Sequence, residues 1–222
     1  MIQFELLPIL DIMIDLYEKP IGAARFQAYL KQLQGDTKSD LVLPIGGFNP
    51  MAKPHLVEKL AELKAIQAET IIQKTLFDLN QSFKRETSVT IFKVALNVAD
   101  DLEGSWTNRF TTDYDSKFKL NALVKRQFCT PFLWSSESYS ADLVQERTLE
   151  SALRTLHWLK HPKPKTLQEH ANQEIFAAPR KEKSLFAKSE LFTKHCQSDS
   201  YAIVFNFLYG DEASIALGLP VY

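Results

Sequence analysis

The sequence predicts a mixed α/β fold, rich in helix, with a small sheet of three or four strands covered by helices and an N-terminal helical hairpin alongside. Three observations predict it. Long stretches repeat apolar residues at steps of three and four, as amphipathic helices do. Ser88–Val98 instead alternates, placing Thr90, Phe92, Val94, Leu96 and Val98 on one face, as a strand does. The strand-like runs are separated by helices long enough for crossover connections, which favours a layered arrangement.

The elements follow in order. Leu6, Ile9, Leu10, Met13, Leu16 and Tyr17 recur at helical spacing with Asp11, Asp15 and Glu18 opposite, so a first helix is expected with Pro8 in its first turn. Pro20 and Gly22 break it. A second helix over about 22–34 turns Phe26, Tyr29, Leu30 and Leu33 inward, completing the hairpin. Leu41–Ile45 reads as a short buried strand. From Pro54 to about Arg85, Val57, Ala61, Ala65, Ala68, Ile72, Leu76, Leu79 and Phe83 form one stripe, predicting a single helix with alanines at one end for a close helix contact. The strand 88–98 follows. Ser116–Val124 suggests a short helix and Phe128–Trp134 another strand, at an edge or bulge because of Pro131. Ser140 caps a helix over 141–160, and Thr166–Ala177 forms one more. Tyr201–Tyr209 is almost wholly apolar and reads as a doubly covered central strand.

Composition bounds the organisation. With 222 residues, 45% hydrophobic and 24% charged, the chain is expected to form one globular domain over 1–222. A helical part would span 1–86 and a sheet-containing part 87–222, with a mobile charged linker near 178–185. Twenty-six basic and 27 acidic residues leave a net charge of −1, so no global field favours nucleic acid or an anionic membrane. Lys160–Lys165 and Arg180–Lys183 read as solvated loop charge. Cys129 and Cys196 are too few for a disulfide framework. Acidic residues interrupt the apolar N-terminus, so neither a signal peptide nor a membrane span is expected, and a cytoplasmic location follows by elimination.

The chemistry-bearing segment is 104–137. It crowds Asn108, Arg109, Thr111, Thr112 and Asp113 between Trp106, Phe110 and Tyr114, and small-ligand pockets pair apolar walls with a few directed polar groups in this way. Arg109 and Asn108 would donate to a small anionic or carbonyl ligand, with Thr112 beside them and Trp106 and Tyr114 as walls. Asp113 would orient Arg109. Asp113 or Glu137 would act as general acid or base if catalysis occurs, which the sequence leaves open, as it does any cofactor. The other reading is that these groups satisfy one another and lock the fold. In that case the protein would be an interaction module, a homodimer or partner binder using the alanine-striped helix.

Two further constellations stand apart. His157 and His161 lie four apart on one helix, a spacing at which two imidazoles chelate one metal ion, with Glu169 or His170 as third ligand. This would make a metal-dependent hydrolase, against a solvated face whose histidines favour the helix dipole. The run Ile45-Gly46-Gly47-Phe48-Asn49-Pro50-Met51-Ala52-Lys53-Pro54-His55 precedes a helix. It resembles the phosphate-binding turn of the nucleotidyltransferase superfamily, which has a Gly-Gly, an aromatic-acid-Pro and two histidines three residues apart. Gly46, Gly47, Phe48, Pro50 and His55 correspond. Ala52 replaces the first histidine, Asn49 the acid, and one position is missing, so half of the implied phosphate-binding pair is absent. A loop rich in Pro and Gly that caps a helix explains the same residues.

Overall fold

A computed structural model describes residues 2–35, 40–49, 51, 54–83, 89–102, 107–178 and 189–222. In chain order the elements are β1 (Ile2–Leu6), α1 (Leu10–Glu18), α2 (Ala23–Gln34), α3 (His55–Ala65), α4 (Ala68–Gln81), β2 (Thr90–Val94), β3 (Asn97–Ala99) and α5 (Arg109–Phe118). There follow α6 (Asn121–Lys125), β4 (Phe128–Cys129), β5 (Phe132–Trp134), α7 (Ala141–Lys160), α8 (Leu167–Ala177), α9 (Glu190–His195) and α10 (Tyr201–Ala216). The fold is mixed α/β, helix-rich, with a small parallel sheet, as the sequence predicts. The chain divides into two compact units: Met1–Asn108 with Asn121–Ala152, and Arg109–Leu120 with Leu153–Tyr222.

All described strands lie in the first unit. β1 pairs with β2 from Ile2↔Thr90 to Leu6↔Val94, and β2 pairs with β4 through Lys93↔Phe128 and Val94↔Cys129, all parallel. β3 and β5 continue the same two paths, paired from Asn97↔Phe132 to Ala99↔Trp134. Pro131 has no N–H, so the ladder is interrupted there. Ala95 N donates to Cys129 O at 3.0 Å and Asn97 N to Pro131 O at 2.9 Å, which carries the pairing across the break. Parallel strands need covered faces. Phe4, Phe92, Val94 and Leu133 are buried in the sheet, and Ile9, Met13, Leu16, Leu56, Leu60, Leu63, Ile72 and Leu76 on the helices of this unit. The exposed edge of β1 is tied down by Asn80, whose side chain exchanges hydrogen bonds with Phe4 N and O at 3.0 and 2.8 Å.

Several elements depart from the sequence expectations. The first helix starts at Leu10, because Ile2–Leu6 forms β1 and Leu7 N closes the ladder on Val94 O. Alternation in Ile-Gln-Phe-Glu-Leu was masked by the helical spacing that overlaps it. The expected 54–85 helix is two helices, broken where Gln67 adopts a left-handed φ of 56°. Its stripe also divides: Ala61 and Ala65 are exposed, while Leu56, Leu60 and Leu63 carry the burial. Leu41–Ile45 is not a strand. Residues 109–118 are already helical, so the polar-aromatic segment is largely α5 rather than a loop.

The regular elements among the described residues of the second unit are all helices. Its 201–209 segment is helix α10, not a strand, and kinks at Gly210 where φ is 83°. A run apolar on every side fits a buried helix as well as a buried strand, and with no strand beside it only a helix satisfies its backbone. The expected linker near 178–185 lies almost wholly outside the described residues. No described helix is long and apolar enough to cross a membrane.

Candidate functional site

In open parallel sheets, ligands bind beyond the carboxyl ends of the strands. In the first unit this edge carries a cluster of polar groups. Ser135 N gives the last ladder bond to Ala99 O at 2.9 Å, after which both chains turn away from the sheet. Asp100 follows β3, and its carboxylate is 5% exposed. Asp100 Oδ1 accepts from Ser135 Oγ at 2.6 Å, His55 Nε2 at 2.9 Å and Leu102 N at 3.3 Å. Asp101 accepts from Ser136 N at 3.0 Å and Ser136 Oγ at 2.7 Å, binding the two turns together.

His55 is the first residue of α3, and its side chain is 27% exposed. Its placement depends on the preceding turn. Asn97, fully buried, accepts from Gly47 N at 2.9 Å and donates to Pro44 O at 2.8 Å, fixing that turn against the sheet. A β-carbon at Gly47 would stand 2.7 Å from Val98 O, so only glycine approaches so closely. Asn49 N donates to Tyr17 Oη at 3.1 Å, and Phe48 packs between Tyr17 and Tyr29 with centroids at 4.5 and 4.8 Å. The Gly46–Gly47 turn therefore serves as a brace. Gly47 N–H, which a phosphate cradle would use, is already given to Asn97.

This arrangement defines what the imidazole can do. In its neutral form, a ring that donates through Nε2 to a buried carboxylate keeps its lone pair on Nδ1. No described residue bonds His55 Nδ1. A half-buried imidazole oriented by a carboxylate is the arrangement used for general acid–base transfer. Ser135, by contrast, is buried and gives its proton to Asp100, so it offers no nucleophile.

The residues singled out from the sequence are distributed differently. Trp106 lies outside the described residues. Asn108 is exposed and closes a segment of the first unit, whereas Arg109, Thr112, Asp113 and Tyr114 belong to α5 in the second. Asp113 does not orient Arg109. Its carboxylate is engaged by Lys117 Nζ at 2.6 Å and by Tyr209 Oη, which donates at 2.7 Å. Tyr114 is buried among Phe118, His170, Tyr201 and Phe205, and burial pushes its phenol up to about 12. Glu137 sits in the first unit, in the turn after β5. It accepts from Trp134 N at 3.0 Å and from Arg147 Nη2 at 3.0 Å.

The rings of His157, on α7, and His161, just past its end, lie with centroids 4.5 Å apart and tilted by 32°. His157 is buried, its Nδ1 has no hydrogen-bond partner, and burial, followed by the charge of His161, pushes its pKa down. The suggested third ligands are engaged elsewhere. Glu169 closes a capping box with Thr166, and His170 contacts Thr166 O at 2.8 Å and Tyr114 Oη at 3.4 Å. Among the described residues no three His, Cys, Asp or Glu side chains group to hold a metal ion.

Reasoning from sequence missed the pairing of His55 with Asp100, which are 45 residues apart. The available signals were the acidic pair that ends the strand 88–98 and the histidine that opens the following helical stripe. Comparison with protein families, curated proteins and solved structures gives no match.

Proposed function

We propose that the protein is a small-molecule-binding or enzymatic domain whose site lies at the carboxyl edge of β3 and β5. His55 is its acid–base group and Asp100 the residue that orients it. The observation carrying this reading is the His55–Asp100 pair itself: an imidazole open on one nitrogen, held by a carboxylate that is almost sealed from water. In this role Asp100 fixes the orientation of the ring, while His55 takes or gives a proton on a bound molecule. The groups at 108–114 support a ligand less well, since Asp113 already has a cation and a phenol as partners and Tyr114 is a core residue.

The test is a thermal-shift screen of the full chain against a broad set of metabolite-like molecules, with His55→Gln in parallel. The reading requires at least one compound that raises the melting temperature of the natural protein and loses most of that effect in His55→Gln. Shifts that are equal in both proteins, or no shift from any compound, contradict it.

A further inference from the structure

Resting on that reading, we infer that the ligand of the His55–Asp100 site presents a protonated amine to Asp100. The argument starts from charge. Asp100 and Asp101 are consecutive at the end of β3, and the Asp100 side chain is nine-tenths buried or more. Its three hydrogen bonds all converge on Oδ1 and come from an imidazole, a hydroxyl and an amide. None of these is a permanent cation, and Oδ2 accepts from no described residue.

The nearest basic side chains in this cluster are committed to other partners. Lys59 Nζ bonds Glu62 at 2.9 Å and Glu137 O at 3.2 Å and sits over the Tyr139 ring. Arg147 is held by Glu137 at 3.0 Å and Glu150 at 3.7 Å. Among the described residues of this cluster the acids Asp100, Asp101, Glu62, Glu137 and Glu150 therefore outnumber the bases Lys59 and Arg147. Tyr139 registers this excess: burial first, and then the charges of Glu137, Glu62, Asp101 and Asp100, push its phenol far up.

A carboxylate withdrawn from water without a matching charge is unfavourable, and a ligand that supplies the charge relieves it. An anion would instead meet two carboxylates. A hard metal ion would need six or more oxygen ligands, yet both oxygens of Asp101 already accept from Ser136. An ammonium group needs only acceptors, and Asp100 Oδ2, which accepts from no described residue, supplies one.

Thermal-shift titration of the full chain decides it, using ethanolamine and putrescine hydrochlorides against sodium acetate, sodium phosphate and magnesium chloride at matched ionic strength. Asp100→Asn and His55→Gln are measured in parallel, with their unliganded melting temperatures confirming that they fold. The expected result is a rise of about 2–4 °C for an amine on the natural protein, reduced at least threefold in both variants. A rise produced by acetate, phosphate or magnesium but not by amines, and lost in His55→Gln, overturns the amine while leaving the site in place. No response that depends on His55 overturns both.

Discussion

Asp100 of the sheet unit is held differently from Glu174 and Asp113 of the helical unit, and from Glu137 and Glu150 of its own unit, which share Arg147. In the helical unit, the Arg154 guanidinium meets both oxygens of Glu174 at 2.8 and 2.7 Å, and Asp113 has Lys117 and Tyr209. Every such acid has a permanent cation. In the sheet unit, Asp100 is as deeply placed but has only groups that orient it. The difference separates a carboxylate that holds a fold from one that holds a catalytic or ligand-binding group. Burial alone does not distinguish them; the identity of the partner does. The polar segment at 108–114, so conspicuous in the sequence, falls mostly on the structural side of that line.

The largest effect that would test this contrast is loss of a matched pair. Arg154→Ala should destabilise the helical unit by about 3–5 kcal/mol, because Glu174 is left charged and buried. Urea unfolding followed through Trp158 measures it, with the other two tryptophans replaced by Phe. A loss near zero would mean that the pair contributes nothing.

Acid should separate the units next. Burial pushes the Glu174 carboxyl up, but Arg154, then Lys117 and Gln173, outweigh it and hold the group at about 2, against an ordinary 4.5. A depressed carboxylate stabilises the fold fully above about 4.5 and ceases to do so as pH falls toward 2. His157 and His170 are both depressed below the usual 6.5, chiefly by burial. The unfolded chain then takes up protons first, so their contribution is complete above about 6.5 and is lost as pH drops below it. The helical unit should therefore weaken in two steps, and Trp158 emission across a pH series would resolve them.

Asp100→Asn keeps an acceptor for Ser135 and His55, so it should cost only about 1–2 kcal/mol in thermal unfolding while removing the ligand response. If it costs as much as Arg154→Ala, Asp100 is a structural lock and the contrast fails. Tyr209→Phe removes one hydrogen bond to Asp113 and should cost about 1 kcal/mol, read from the urea midpoint. Last, Ala65→Glu lies on the exposed face of α3 and should change stability by less than about 0.5 kcal/mol in a monomer. Loss of a larger species in light scattering would instead identify that face as a dimer contact.

Much of the architecture was legible where local signals are strong. Residues 141–160, capped by Ser140, and 166–177 give α7 and α8 almost to their boundaries, and alternation locates the β2–β3 path. What was hidden has physical reasons. Tyr201–Tyr209 carries no period, so its sequence does not separate helix from strand. The break at Gln67 has no glycine or proline to announce it. The site was hidden because it joins three segments: the turn before His55, the end of β3 and the end of β5. Their pairing is set by parallel strand register, which no local pattern encodes. The Gly46–His55 run and the Asp100–Asp101 pair were each visible; their meeting was not.

The most direct test is the tautomer of His55, measured from its ring ¹⁵N shifts in the full chain at a pH where the ring is neutral. The account predicts a single form with the proton on Nε2, and mixed forms in Asp100→Asn. A proton on Nδ1, or averaging already present in the natural protein, would contradict it.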